Sequence, residues 1–282
     1  MLTPSWLDGL ALGDAVAAES VEGGYASKTF RVRTSLDRSA IVKTQTDLPP
    51  DLYAVEADGL DALRVPGGFA VPEVLRVTPD FIVLTDLGAS APSPTYWEDA
   101  GRALALQHQH TADKFGYHQD NYLGILPQRN PWTIDGHSFF AQHRLVRYLE
   151  VPDCYNALSP DDRHRLERVA DRLPELVPPQ PPSLLHGDLW HGNLLPTPAG
   201  RPALIDPAVY YGWPEAELSM LIGCGNIPDA FYRAYEEAHP LAPGWRDRMP
   251  LLHLREHLCV TAHFTDSANA VEQIHTILAR FA

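Results

Sequence analysis

The stretch Leu184-Leu185-His186-Gly187-Asp188-Leu189-Trp190-His191-Gly192-Asn193-Leu194-Leu195, followed by Leu204-Ile205-Asp206-Pro207, decides how this chain is read. Asp188 stands five residues before Asn193, and Asp206 thirteen beyond it, each carried by a short apolar run. Turn formation alone would account for an aspartate and an asparagine beside Gly187 and Gly192. It does not ask for His186 two residues before the aspartate, or for a second apolar-Asp-Pro run downstream. Transfer of phosphate from ATP to a hydroxyl asks for the whole set. A carboxylate must orient and deprotonate the acceptor oxygen, while an amide oxygen and a second carboxylate hold magnesium against the nucleotide phosphates. Asp188 is therefore expected as the catalytic base and Asn193 and Asp206 as metal ligands, with ATP and Mg2+ as cofactors.

Upstream, Lys28 to Thr34 alternates with period two, Asp37-Arg38-Ser39 offers a turn, and Ala40 to Thr44 returns as a strand carrying Lys43. A second hairpin is predicted from Glu73 to Leu84 around Thr78-Pro79-Asp80. Between them Asp51 to Arg64 reads as a helix in which Leu52, Glu56, Leu60 and Leu63 share one face. A carboxylate among leucines costs several kcal/mol unless a cation meets it. Lys43 is the natural partner, and in a phosphotransferase such a pair aims the lysine at the α and β phosphates. Gly23-Gly24, about twenty residues before Lys43, is expected to fold over the phosphates, although a glycine pair also serves as an ordinary hairpin turn. Thr85-Asp86-Leu87 ends the last strand and is expected as a hinge whose backbone groups pair with the adenine edge.

Helices follow. Ser93-Pro94-Thr95 opens one with Trp97, Ala100, Gly101, Leu104 and His108 on a stripe, and Ser159-Pro160 opens another through Leu173. A proline-rich connector leads from Pro174 to Pro182 into the catalytic segment. Pro228 to Ala282 reads as helices broken at Pro240-Leu241-Ala242-Pro243-Gly244. At 282 residues the chain has room for two lobes. A formal charge of −14 disfavours wrapping a nucleic acid. Cys154, Cys224 and Cys259 are too few and too scattered for a disulfide framework or a zinc knuckle. Without a basic leader or an apolar run of about 20 residues, a cytoplasmic protein with no membrane partner is expected. His108 and His110, and His253 and His257, are expected as core or surface histidines rather than metal ligands.

The segment His186 to Asn193, with Asp206-Pro207-Ala208-Val209-Tyr210-Tyr211-Gly212 and Glu215-Ala216-Glu217-Leu218-Ser219-Met220, resembles the signature of the fructosamine kinase (ketosamine 3-kinase) family. So do Phe115-Gly116-Tyr117-His118-Gln119-Asp120-Asn121-Tyr122-Leu123-Gly124, Pro127-Gln128, Asn130-Pro131-Trp132, Phe139-Phe140 and His143-Arg144-Leu145. This middle block is the more particular, since aminoglycoside, choline and homoserine kinases share the HGD…N…D pattern. The resemblance implies an α+β, protein-kinase-like two-lobe fold. A small antiparallel sheet with one helix would occupy residues 1–87, and a mainly helical catalytic and substrate lobe residues 88–282. It also implies ATP-dependent phosphorylation of the 3-hydroxyl of a ketosamine, whose 3-phosphate eliminates and frees the amine. The partner would be a sugar–amine adduct, free or protein-bound, acted on by a monomer. Trp190, His191, Trp213 and Glu215 are the expected acceptor-binding residues. The chain departs from the family pattern at Gly136-His137, at Glu217 in place of aspartate, and at Ile222-Gly223-Cys224. These departures touch the acceptor side, so another small hydroxyl acceptor stays open there, as does a non-catalytic nucleotide-binding module.

Overall fold

A computed structural model of the chain describes residues 5–21, 27–223, 225 and 227–282; Gly23, Gly24 and Cys224 lie outside the described residues. Period-two segments build the first part. β1 (Ala15–Val21), β2 (Lys28–Thr34) and β3 (Ser39–Thr44) form an antiparallel meander, followed by α1 (Leu52–Ala62) and the hairpin β4 (Val74–Val77) and β5 (Phe81–Thr85). The sheet order is β1-β2-β3-β5-β4. Lys43 lies opposite Ile82, and Ile41 opposite Leu84, so the four share one face. Ala40, Val42 and Val83 point the other way, into a small outer cluster with Leu7 and Val32. The leucine face of α1 is buried as its spacing predicts, each leucine contributing roughly 1.5–3 kcal/mol. β1 was not expected. As an edge strand it is exposed on most residues and carries no alternation to find.

The second part is mainly helical. α2 (Tyr96–His108) precedes a short hairpin, β6 (Asn121–Leu123) and β7 (Leu126–Gln128). Next come α3 (Gly136–Phe140), α4 (Pro152–Ala157) and α5 (Pro160–Leu176). α5 is capped by the Ser159 side chain accepting from the Asp162 N–H. It continues past Pro174 to Leu176, so the connector begins later than expected; a proline in the last turn leaves little of the hydrogen-bond ladder to lose. β8 (Ser183–Leu185), β9 (Leu194–Pro196), β10 (Pro202–Leu204) and β11 (Tyr210–Gly212) frame the catalytic segment as two antiparallel pairs, β9 with β10 and β8 with β11. α6 (Pro214–Gly223), α7 (Asp229–Ala238), α8 (Trp245–His263) and α9 (Ala268–Phe281) complete the chain, with the break before α8 made by Gly244 at φ 74°. Among the described residues no helix is long and apolar enough to cross a membrane.

The five-stranded sheet ends with Thr85, and the next helix, α2, begins at Tyr96. Packing does not stop there. One apolar cluster runs from Leu52, Leu60, Ile82 and Leu84 through Leu104, Leu185 and Leu254. The chain before β4 also joins the catalytic segment directly, with the Ala70 N–H bonded to the Pro202 carbonyl and the Leu204 N–H to the Ala70 carbonyl, both at 2.9 Å.

α2 and α7 meet at Gly101, where an added Cβ would stand 2.2 Å from the Phe231 carbonyl oxygen and 3.1 Å from the Tyr235 nitrogen. Gly101→Ala should therefore destabilise the protein by about 1–3 kcal/mol in urea denaturation, although alanine favours a helix by about 1 kcal/mol. A neutral or stabilising result would mean that the two helices do not pack this closely.

Candidate active site

Lys43 is the centre of the site. Its ammonium lies 2.5 Å from Glu56 Oε1 and 2.5 Å from Asp206 Oδ1, joining β3, α1 and the segment after β10. Burial alone would pull this ammonium down, but Asp206 and Glu56 outweigh it and hold Lys43 charged, above its ordinary range. Asp206 takes φ 58°, left-handed backbone that an aspartate adopts at a cost. The strained turn aims its carboxylate back at the lysine.

Asp188 opens onto the same cavity. Burial, with repulsion from Glu256 and Asp206, pushes its carboxyl up to about 7 against the opposing pull of Arg255 and a hydrogen bond from Asn193. A carboxylate so placed is poised as a proton acceptor near neutrality. Asn193 Nδ2 donates to the Asp188 carbonyl at 2.8 Å and to Asp188 Oδ2 at 3.3 Å, which turns the amide oxygen away from the aspartate. Asn193 Oδ1 and the Asp206 carboxylate are hard oxygen donors of the kind magnesium takes alongside phosphate oxygens, so the residues present fit that ion.

The loop bearing these groups is held by buried polar contacts. His186 Nε2 faces the Ile205 carbonyl at 2.8 Å and must carry the proton, so Nδ1 accepts from the Asp188 N–H at 3.2 Å. Burial pushes His186 down and keeps it neutral. Glu217 on α6 accepts from the backbone N–H of His186 (3.0 Å) and of Gly187 (2.7 Å), and its Oε2 lies 3.0 Å from His108 Nε2. Gly187 has φ 83°, and an added Cβ would lie 2.0 Å from the Ala208 carbonyl oxygen. The middle block braces the other side. Asn121 Nδ2 donates to the Val209 carbonyl (2.8 Å), and Gln128 Nε2 to the Ala208 carbonyl (3.1 Å) and to Asn121 Oδ1 (2.9 Å). Arg144 Nη2 donates to Asn130 Oδ1 at 2.6 Å while its guanidinium stacks 3.9 Å from the Tyr210 ring. Arg255 on α8 donates to the Gly187 carbonyl (3.0 Å) and to Gln128 Oε1 (2.8 Å). Tyr117 and Tyr122 reach across to α1, donating to Asp58 (2.8 Å) and Asp51 (2.7 Å).

Lys43, Glu56, Asp188, Asn193 and Asp206 all line one cavity of about 410 Å³, whose far wall is α8. Trp190 lines it too, its indole filling the space that a Cβ on Gly192 would need. The other expected acceptor residues do not. Trp213 is buried and stacked on Phe140 at 5.0 Å, with Phe115 and His137 at its edges. Glu215 is buried in a bidentate pair with Arg248 at 2.6 and 2.8 Å. His191 is exposed, edge-on to Trp190. Thr85, Asp86 and Leu87 lie outside the lining of this cavity, and Asp86 is engaged by Arg31 at 2.7 Å. His108 is a core histidine between Tyr235 and Glu217, whereas His253 and His257 line the cavity. Among the described residues no three His, Cys, Asp or Glu side chains are arranged to hold a metal by themselves. Sequence reading does not assign Glu217, Gln128, Arg255 or Glu256 to the site. The available signal was charge inside apolar helical runs, as in Leu251-Leu252-His253-Leu254-Arg255-Glu256.

Comparison with known proteins places this geometry. The sequence model described as fructosamine kinase matches residues 11–280. A protein of Enterococcus faecium named probable ketoamine kinase is 32% identical over 271 residues, covering 93% of this chain and 94% of its own. A protein-ribulosamine 3-kinase of Oryza sativa subsp. japonica, chloroplastic by name, is 32% identical over 251 residues, covering 85% of this chain and 71% of its own. A crystal structure described as that of a fructosamine-3-kinase from Thermobifida fusca superposes with TM-score 0.86 at 32% identity over 95% of each chain. A choline/ethanolamine kinase family protein of Mesorhizobium loti shares the fold, with TM-score 0.63 at 18% identity, covering 98% of this chain and 92% of that one.

The Glu217 clamp carries a pH signature. Burial raises this carboxyl, but the hydrogen bond and electrostatic pull of His108 and the hydrogen bond from the Gly187 N–H more than offset it, so it lies below the ordinary value of 4.5. A depressed carboxyl stabilises the fold above its unfolded pKa and loses that contribution as pH falls through the folded one. Glu217→Gln should cost roughly 1–3 kcal/mol at about pH 7 in urea denaturation. The gap to wild type should shrink as pH falls below about 4.5; a gap that widens there would refute the ionised clamp.

Proposed function

Because this chain belongs to the fructosamine kinase family, we propose that it transfers the γ-phosphoryl group of ATP to the 3-hydroxyl of a ketosamine, a sugar–amine adduct either free or borne by a protein. The observation that carries this reading is the convergence of Lys43, Glu56, Asp188, Asn193 and Asp206 on one cavity, within a chain matched to the family over residues 11–280.

Each residue has a place in the reaction. Glu56 fixes the direction of Lys43, and Lys43, already charged, meets the nucleotide phosphates as they enter. Asn193 and Asp206 would hold magnesium, which when bound neutralises charge on those phosphates. Asp188 hydrogen-bonds the acceptor hydroxyl and takes its proton as the new O–P bond forms and the bond to the leaving ADP oxygen breaks. The backbone after β5, irregular from Asp86 to Ser93, is the adenine hinge of this proposal. The product carries phosphate on C3, next to the C2 carbonyl. Enolisation toward C1 places that phosphate β to the carbon that lost its proton, so inorganic phosphate is expelled, and water then hydrolyses the resulting imine, releasing the amine and undoing the glycation.

Asp188→Asn should lower kcat by about 10²–10⁴-fold while ATP binding, read by calorimetry, changes little. Wild-type rates in this variant would remove Asp188 from the role of base. Coupled ATP consumption on ribulosyl and fructosyl amines, with the phosphorylated carbon read by NMR, tests the acceptor. Turnover of a choline or aminoglycoside acceptor with none on any ketosamine would replace the reading by another kinase of this fold.

A further inference from the structure

Four carboxylates line the main cavity: Glu56, Asp188, Asp206 and Glu256. Lys43 engages Glu56 and Asp206, and Asp188 faces the reacting hydroxyl, so Glu256 on α8 is the one without a role in phosphoryl transfer. It is nonetheless held firmly. Arg255 contacts Glu256 through Oε1 with the same guanidinium that bonds the Gly187 carbonyl and Gln128. Glu256 is thereby tied to the catalytic loop, and it lines the same cavity as Asp188.

The chemistry of the acceptor says what such a group is for. In a ketosamine the nitrogen on C1 and the reacting oxygen on C3 are four covalent bonds apart, so their separation is at most about 5 Å. Whatever receives the protonated amine must therefore sit beside the base. Resting on the ketosamine reading, we infer that Glu256 binds the secondary ammonium of the acceptor and makes the site select amine-bearing ketoses over neutral ones.

The surroundings agree. Glu256 and Asp188 line the same cavity, and the Arg255 guanidinium that contacts Glu256 bonds the carbonyl of Gly187, the residue before Asp188. Trp190 and Phe264 line the same cavity. Burial holds His253 and His257 down to about 4 each, so these two neighbours on α8 stay neutral and do not repel an ammonium. The cavity end thus presents a fixed carboxylate in a wall of neutral and aromatic groups, suited to one positive charge.

The test is a cycle between protein and ligand. Wild type and Glu256→Gln are compared on a fructosyl or ribulosyl alkylamine and on its ether analogue, in which oxygen replaces the nitrogen. Wild type should prefer the amine by roughly tenfold or more in kcat/KM, chiefly through KM, and Glu256→Gln should reduce that preference to about twofold or less. Calorimetric ATP binding should be the same in both. Glu256→Asp, which keeps the charge opposite Arg255, should retain a weakened preference and serves if the glutamine variant does not fold. Equal kcat/KM for amine and ether in wild type, or a preference that survives Glu256→Gln intact, overturns the inference and leaves the kinase reading standing. Turnover of neither ligand overturns the ketosamine reading and this inference with it.

Discussion

Everything in this protein depends on gathering negative charge around one buried lysine. Lys43 and Glu56 are taken out of water almost completely, and Asp206 joins them from the other lobe. Desolvating such groups singly would cost several kcal/mol each. Together they satisfy one another, and they do so at the wall of the main cavity. Asp188, which among the described residues has no cation at contact distance, shows the opposite case, its carboxyl pushed up to about 7.

Charges cannot be held in register by charges alone, and the chain uses backbone carbonyls and N–H groups as the anchoring points. Glu217 grips the loop through two N–H groups, Arg255 through the Gly187 carbonyl, and Asn121 and Gln128 grip the segment after Asp206. These residues come from α6, α8 and the β6–β7 hairpin, so three separate parts of the chain fix one loop. The block from Phe115 to Arg144, the most particular part of the family resemblance, proves to be bracing around the chemistry, apart from Tyr122 and its neighbours at the cavity wall.

Much of this was legible in the sequence, and the limits are physical. Glu56 among leucines announces its ion pair because burying it otherwise is costly, and His186, Asp188, Asn193 and Asp206 announce themselves by spacing. Trp213 and Glu215 lie close in sequence to Asp206, yet one packs on Phe140 and the other pairs with Arg248. Proximity along the chain gives no information on which way a side chain turns at the start of α6. Glu217, Arg255 and Gln128 were illegible as site residues because their partners include backbone groups from 30 to 80 positions away. β1 left no trace because an edge strand with both faces wet needs no apolar rhythm.

The join between Ala70 and β10 has a thermodynamic consequence. Two backbone hydrogen bonds and an unbroken apolar core run across the place where the sheet lobe meets the helical lobe. Swinging the lobes apart would break both, so domain opening is opposed by the same forces that fold the chain. A closure driven by a ligand would have to work against those contacts, and to the extent that they hold, the entropy of assembling the site is settled once, during folding, instead of at every turnover.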